Sequence, residues 1–347
     1  MSHGYQRPVA SAGLRLHLNE HTGGCSPKVL DAIRALTREQ LAIYPEYDDA
    51  IEACAARLGV GPDNVLLTNG LDEGILVAAV VSLRGASAED PYEAIIVQPA
   101  FDMYAACADG AGGRIVDILP NQDFSFPLNR LLAAVTPRTR IIYVTSPNNP
   151  TGLSVSPADV ATVAAAAPQA MVFLDEAYAD FGGGSMVSAA ASRLPNLVIG
   201  RTFAKAYGLA GIRAGALVAT PGTLAPMRRI VPPYTLNACA AAALPVALRD
   251  EAYYEAYLAE VAQSKALAYE VLGRFGVPFW PSDGNFVLAR FGGGLPAIVE
   301  RLAARGIIIR DRSKDPGCEG CARITAGVLE HTRRLVGALE EVLCGAG

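Results

Sequence analysis

The sequence predicts an α/β fold: a large domain with a mostly parallel sheet flanked by helices, joined to a smaller α+β domain. Three observations predict it. Short apolar runs alternate with longer helix-like stretches through the middle of the chain, the pattern of βαβ units. The 347 residues are 51% hydrophobic and 18% charged, enough apolar matter for a large core and too much for a disordered chain. The alternation stops near Pro232, beyond which helices separate only short strand-like pieces.

In chain order, residues 65–68 read as a strand running into a helix at 72–82. Residues 94–97 form the next strand, followed by a short helix at 102–108. Strands at 114–118, 141–145, 171–174, 197–200 and 214–219 complete the large domain. Parallel sheets place their sites beyond the carboxyl ends of the strands. Asn149, Asp175 and Lys205 all follow such strands, so three separate segments converge on one ligand. A long helix at 250–275 has amphipathic spacing and a C-capping glycine, Gly276. Strands at 285–289, 307–310 and 322–325 then alternate with helices at 295–305 and 329–343. The glycine runs 182–184 and 292–294 read as flexible loops.

Charge and composition exclude several classes of function. The net charge is -5 and no block of Lys and Arg offers a phosphate-backbone footprint, so nucleic acid is not expected as a partner. Residues 1–8 hold no apolar signal region. The longest apolar stretch, 236–248, is too short to span a bilayer and contains Asn237 and Pro245. A soluble, cytoplasmic protein is expected, with no membrane partner. The seven cysteines are odd in number and scattered, which suits free thiols in a reducing compartment. Cys318 and Cys321 form a Cys-x-x-Cys, but no second ligand pair accompanies them, so no metal is expected.

The chemistry is concentrated in six short segments. Lys205 lies in Arg201-Thr202-Phe203-Ala204-Lys205-Ala206-Tyr207-Gly208, after an apolar run and near Thr202 and Arg213. A lysine that attacks a carbonyl needs partial burial, which favours the neutral amine. A nearby hydroxyl and guanidinium suit a phosphate handle. Asp175, in Leu174-Asp175-Glu176-Ala177-Tyr178, ends a buried strand. It reads either as a helix N-cap or as the carboxylate partner of a protonated pyridine nitrogen. Asn148 and Asn149, in the Pro-bounded turn 147–152, are either turn formers or amide donors to a phenolate oxygen. Asn69-Gly70-Leu71-Asp72 joins a strand to a helix, which allows both a simple turn and a phosphate cradle. Phe101, in Pro99-Ala100-Phe101, is either core or a surface for a ring. Arg323 opens an apolar strand, where a bidentate anion is the natural partner.

Taken together, Asn-Asn-Pro-Thr-Gly at 148–152, Asp-Glu-Ala-Tyr at 175–178, the lysine segment and Arg-Ile-Thr-Ala-Gly at 323–327 occur in the order seen in aminotransferases. The chain resembles pyridoxal-phosphate-dependent aminotransferases of fold type I, class I/II, and among them the histidinol-phosphate aminotransferases, from about Leu14 to Leu343. The resemblance implies pyridoxal 5'-phosphate as cofactor, bound by Lys205. It makes Gly70, Leu71, Asp72, Thr202 and Arg213 the phosphate cup and Phe101 the stacking aromatic. It gives Asn149 and Tyr178 the phenolate oxygen and Asp175 the ring nitrogen. Lys205, Asp175 and Tyr178 are the implied catalytic residues. Asn19, His21, Tyr44, Arg310 and Arg323 are implied to bind substrate, with Tyr44 reaching a neighbouring site across a homodimer.

The implied domains are 1–43, an N-terminal arm and part of the small domain; 44–235, the large cofactor-binding domain; and 236–347, the small α+β domain. Three places depart from the pattern. Leu71 stands where a small residue is frequent, Ala204 where a serine is usual, and His21-Thr22 where Asn-Pro or a tyrosine is usual. The implied reaction is amino transfer between a small-molecule amino donor and a 2-oxo acid, namely histidinol phosphate and 2-oxoglutarate. The alternatives are an aminotransferase for aromatic or other amino acids and a phospho-amino-acid decarboxylase of the same fold.

Overall fold

A computed structural model describes residues 13–344. Its centre is a seven-stranded sheet. The spatial order is Val65–Thr68, Gly215–Val218, Leu197–Thr202, Met171–Asp175, Thr139–Thr145, Glu93–Val97 and Arg114–Ile118. Gly215–Val218 runs antiparallel to both its neighbours, and every other pairing is parallel. The strands are apolar on both faces because both faces are covered. Phe173, Tyr143 and Ile96 point to one side, under the helices Leu71–Leu83 and Asp102–Gly110. Val172, Leu174, Ile142 and Ile199 point to the other, under Leu128–Ala134, Pro157–Ala166 and Val187–Ser192. The expected α/β class and mostly parallel sheet are what the chain forms.

The smaller unit holds an antiparallel sheet ordered Arg310–Asp311, Cys321–Thr325, Phe286–Arg290 and Phe279–Trp280. Glu251–Arg274, Leu295–Ala304 and Leu329–Cys344 pack on it through Leu272, Leu302 and Leu339. The N-terminal segment joins this unit. Leu14–Arg15 pairs in parallel with Ile307–Ile308, and Thr325 donates its N–H to Leu16 O at 2.9 Å.

Three features differ from expectation. The strand expected at 307–310 is two strands. Ile307–Ile308 pairs with the N-terminal segment, whereas Arg310–Asp311 pairs with Cys321–Thr325. Between them Ile309 is buried in the apolar core, and the chain changes partners there. The glycine run at 292–294 forms a 3-10 turn leading directly into Leu295–Ala304 rather than a loose loop. The residues after 236 do not leave the large unit at once. Ala238–Arg249 packs with Pro27–Arg34 and Asp48–Leu58 against Val65, Leu67 and Phe203. The packing changes at Asp250, which accepts from Ser26 Oγ at 2.5 Å and from Lys28 Nζ at 2.6 Å.

Among the described residues no helix is long and apolar enough to cross a membrane. Cys318 and Cys321 are free thiols, and among the described residues no group of three or more His, Cys, Asp or Glu could hold a metal ion.

The strand ahead of Lys205 is anchored by charge. Arg201, 7% exposed, lies 3.3 Å from Glu176 Oε2 and 2.6 Å from Asp180 Oδ1. Tyr254 O–H donates to the same Asp180 oxygen at 3.0 Å. Replacing Arg201 by Leu would leave two buried carboxylates unpaired. We expect it to cost about 3–5 kcal/mol of stability, read from urea unfolding. A loss below about 1 kcal/mol would mean that the carboxylates are relieved another way.

Candidate active site

The carboxyl ends of the parallel strands open into a cavity of about 200 Å³. Its lining is built in three parts, each from a different piece of chain.

The first part is an anion cradle. The helix Leu71–Leu83 starts at Gly70 with no side chain capping its first N–H groups, although Asp72 and Glu73 lie in its first turn, so those N–H groups can donate to a ligand. Gly70 has φ 75°, and a Cβ there would sit 2.5 Å from Arg213 Nη2. Only glycine lets the guanidinium lie this close to the helix start. Arg213 also pairs with Asp72 at 2.7 Å. Thr202, at the end of its strand, and Ala204 close the cradle. With alanine at 204, the backbone N–H of that residue donates to Thr202 Oγ1 at 3.3 Å.

The second part is the floor. Asp175 is 4% exposed at the end of Met171–Asp175. Ala177 N–H donates to its Oδ1 at 2.9 Å, and Tyr104 O–H donates to its Oδ2 at 2.6 Å. Burial pushes its pKa up to about 6, opposed by these two hydrogen bonds. The local turn bond leaves the carboxylate at the cavity wall. Phe101 lies edge-on to Tyr104 at 5.9 Å. Lys205 is half-buried, with Nζ donating to Leu18 O at 3.2 Å and lying 5.8 Å from the centre of the Tyr178 ring. No carboxylate ties it in a salt bridge among the described residues.

The third part is a basic end. Arg310 and Arg323 are register partners on neighbouring antiparallel strands, with Arg312 beside them. Arg323 donates to Asn149 Oδ1 and to His17 O, the latter at 2.6 Å. Burial lowers its pKa to about 10. The Arg310 side chain makes no hydrogen bond or ion pair with another described residue, although its backbone is part of the ladder with Cys321–Thr325. Among the described residues lining the cavity, five Lys and Arg face three carboxylates, so the space favours an anion.

Of the residues singled out from sequence, Lys205, Asp175, Tyr178, Leu71, Asp72, Phe101, Asn149, Thr202, Arg213, Arg310 and Arg323 line this cavity. Gly70 stands behind Arg213, and Asn19 stands behind Tyr178, donating to its hydroxyl at 3.1 Å. Two others lie elsewhere. His21 stacks on Tyr257 at 3.4 Å between ring centres and is not in the lining. Its imidazole is an apolar-packed ring, with burial lowering its pKa to about 4. Tyr44 is 71% exposed and stacks on Tyr234 at 4.0 Å, outside the cavity of this chain.

Sequence reasoning missed His17, Tyr104, Thr145 and Arg312, all of which line the cavity. Tyr104 carried a signal, lying one helical turn after Phe101. His17 and Arg312 carried none, because they reach the cavity only through the pairing of distant strands.

The sequence profile of the family described as Aminotransferase class I and II matches residues 12–339. The chain is 31% identical over 338 residues to the histidinol-phosphate aminotransferase of Moorella thermoacetica, covering 95% of this chain and 85% of that one. It is 35% identical over 336 residues to the histidinol-phosphate aminotransferase of Methanocella arvoryzae, covering 95% and 90%. Among solved structures it superposes on the histidinol-phosphate aminotransferase of Sinorhizobium meliloti in complex with pyridoxal-5'-phosphate. The TM-score is 0.86 at 29% identity, over 97% of this chain and 92% of that one.

Tyr104 sets the charge on Asp175. In Tyr104→Phe the carboxylate loses its hydroxyl donor, so Asp175 should titrate above its present value of about 6. Difference infrared spectroscopy of the carboxyl stretch against pH would show the shift. An unchanged or lower midpoint would mean that Tyr104 does not stabilise the ionised form.

Proposed function

We propose that this chain, which belongs to the aminotransferase class I and II family, moves the amino group of histidinol phosphate to 2-oxoglutarate. The products are imidazole-acetol phosphate and glutamate, a step of histidine biosynthesis. The observation that carries the reading is the basic end of the cavity, where Arg310 lines the wall beside Arg323 with no partner of its own. An unpaired arginine in a half-buried place calls for an anion from outside the chain. The names of the relatives support the same substrate.

The cofactor is pyridoxal 5'-phosphate, and the residues of the cavity fit it. The uncapped start of Leu71–Leu83, Thr202 and Arg213 form a cradle of donors for its phosphate. Asp175 would pair with its ring nitrogen, Asn149 and Tyr178 would hold its phenolate oxygen, and Phe101 would cover its ring. When bound, the cofactor supplies a carbonyl that takes up amines and a protonated ring that draws electrons from the reacting carbon.

The chain does the rest. Asp175 would retain the ring proton: burial, offset in part by its hydrogen bonds, leaves its pKa at about 6, and a cation beside it favours the carboxylate. Lys205 Nζ takes the proton from the amine-bearing carbon of the donor and, in the second half of the reaction, delivers one to the carbon of the acceptor that receives the amino group. The amine is free to do so because, among the described residues, a single hydrogen bond to the Leu18 carbonyl holds it. Arg310 and Arg323 bind the phosphate of the substrate and so fix the carbon beneath Lys205. Asn19 holds the Tyr178 hydroxyl, and through Thr325 it ties the N-terminal segment over the site.

In this reading the protein is a cytoplasmic homodimer, and Tyr44 serves the site of the neighbouring copy. The exposed apolar side chains Leu41, Ile43, Tyr44 and Tyr234 support a covered surface there.

Purified protein incubated with histidinol phosphate and 2-oxoglutarate should release glutamate. Absence of turnover would overturn the substrate, and carbon dioxide without glutamate would point to decarboxylation. Lys205→Ala should abolish turnover; activity at the parent rate would sink the mechanism. Asp175→Asn should slow transamination by roughly two to four orders of magnitude, if the loss of about 3–5 kcal/mol from a buried charge pair falls on the transition state. Arg310→Ala should lower kcat/KM for histidinol phosphate about ten- to a hundredfold and that for a monocarboxylate amino acid much less.

A further inference from the structure

The basic end of the cavity holds a third guanidinium that amino transfer itself does not require. Arg312 is 8% exposed and lines the wall with Arg310 and Arg323. Its backbone N–H donates to Cys321 O at 2.9 Å, which continues the pairing of Arg310 with Arg323 by two residues. The two-residue repeat of extended chain brings Arg310 and Arg312 to the same side.

Arg312 Nη2 forms an ion pair with Asp315, whose N–H closes a turn on Arg312 O at 2.9 Å. Arg312 Nε is buried with no hydrogen-bond partner among the described residues. Asp315 is half-buried. Desolvation pushes its carboxyl up in pKa, Asp102 acts in the same direction, and Arg312 opposes both. The pair is therefore mutually held: Arg312 favours the ionised form of Asp315, and the ion pair keeps Arg312 against the cavity wall.

Charge decides what this end of the cavity suits. Three guanidiniums set against Asp315, which is paired to them, and Asp102 nearby leave this end net positive. A monocarboxylate is satisfied by a single guanidinium fork. A phosphate dianion brings two charges and three outer oxygens. We propose that Arg312 donates to the distal anionic group of the substrate and selects a phosphate dianion over a carboxylate, with Asp315 as the positioning residue that aims it. This inference rests on the reading that the substrate carries a phosphate.

The test uses the cofactor-loaded enzyme, in which the anion cradle is filled. In Arg312→Gln, kcat/KM for histidinol phosphate should fall about ten- to a hundredfold, while that for glutamate changes less than about threefold. Inorganic phosphate, as a competitive inhibitor of the glutamate half-reaction, should lose potency by a similar factor. Asp315→Asn should raise KM for histidinol phosphate with little change in kcat. Arg312→Lys, which keeps the charge and loses the fork, should recover part of the loss. Retained glutamate activity shows that each variant is folded. Equal losses on both substrates, or unchanged inhibition by inorganic phosphate, would overturn the proposal. If the parent enzyme ignores histidinol phosphate but Arg312→Gln still loses inhibition by phosphate, the substrate assignment fails and the role of Arg312 stands.

Discussion

The site depends on one parallel register. Thr145 lies opposite Asp175, and Asp175 opposite Gly200. Two strands therefore end at the same level and the third, Leu197–Thr202, two residues beyond it, and the chain leaving each one turns into the cavity: the Asn149 turn, the Asp175–Tyr178 turn and the Lys205 loop. A shift of one residue in any strand would turn its last side chain to the other face. The register is held by apolar packing on both faces, where Phe173 and Val172 point to opposite cores. It is held again by charge at its open end, where Arg201 ties Glu176 and Asp180 on the neighbouring segment. The ion triad does not touch the cavity, yet it sets the distance between the segments that carry Asp175 and Lys205.

The charges of the cavity are sorted along its length. At one end the start of Leu71–Leu83 and Arg213 offer donors without a side-chain cap. At the other, guanidiniums crowd against one another, and burial depresses the pKa of Arg323 to about 10. Such crowding is unfavourable in the empty protein and is relieved by an anion. Between the two lies a buried carboxylate, Asp175, raised to about 6. Each group is strained electrostatically in the direction that a ligand of opposite charge corrects. The arrangement suits one elongated ligand pair with an anionic group at each end and a cationic ring nitrogen between them.

The N-terminal segment completes the wall from far away in sequence. Leu14–Arg15 pairs with Ile307–Ile308, and Asn19 N–H donates to Thr325 Oγ1 at 3.0 Å. This brings Leu18 O to Lys205 and His17 O to Arg323. Two backbone carbonyls thus meet the amine and the guanidinium that the chemistry needs. The His17 imidazole comes with them. Burial lowers its pKa, and Arg15, Arg310 and Arg323 lower it further, while Glu20 raises it.

The sequence by itself determined the fold class and the residues that follow the central strands. Short continuous apolar runs such as 171–174, alternating with helix-like stretches, read as strands buried on both faces, and the polar residues that follow them fall where such sheets place their sites. Asn149, Asp175 and Lys205 were legible on that ground, and motif order extended the reading to Arg213 and Arg323. Local chemistry could not place His21, whose ring packs on Tyr257, because burial of an imidazole leaves no mark in its neighbours along the chain. Nor could it show that the strand expected at 307–310 divides between two partners. Tertiary structure alone decided that division, and with it the position of Arg310 against Arg323 and of His17 and Arg312 in the wall. These contacts span up to about 300 residues of chain, and such a contact is fixed by which strands pair and not by the residues on either side of it.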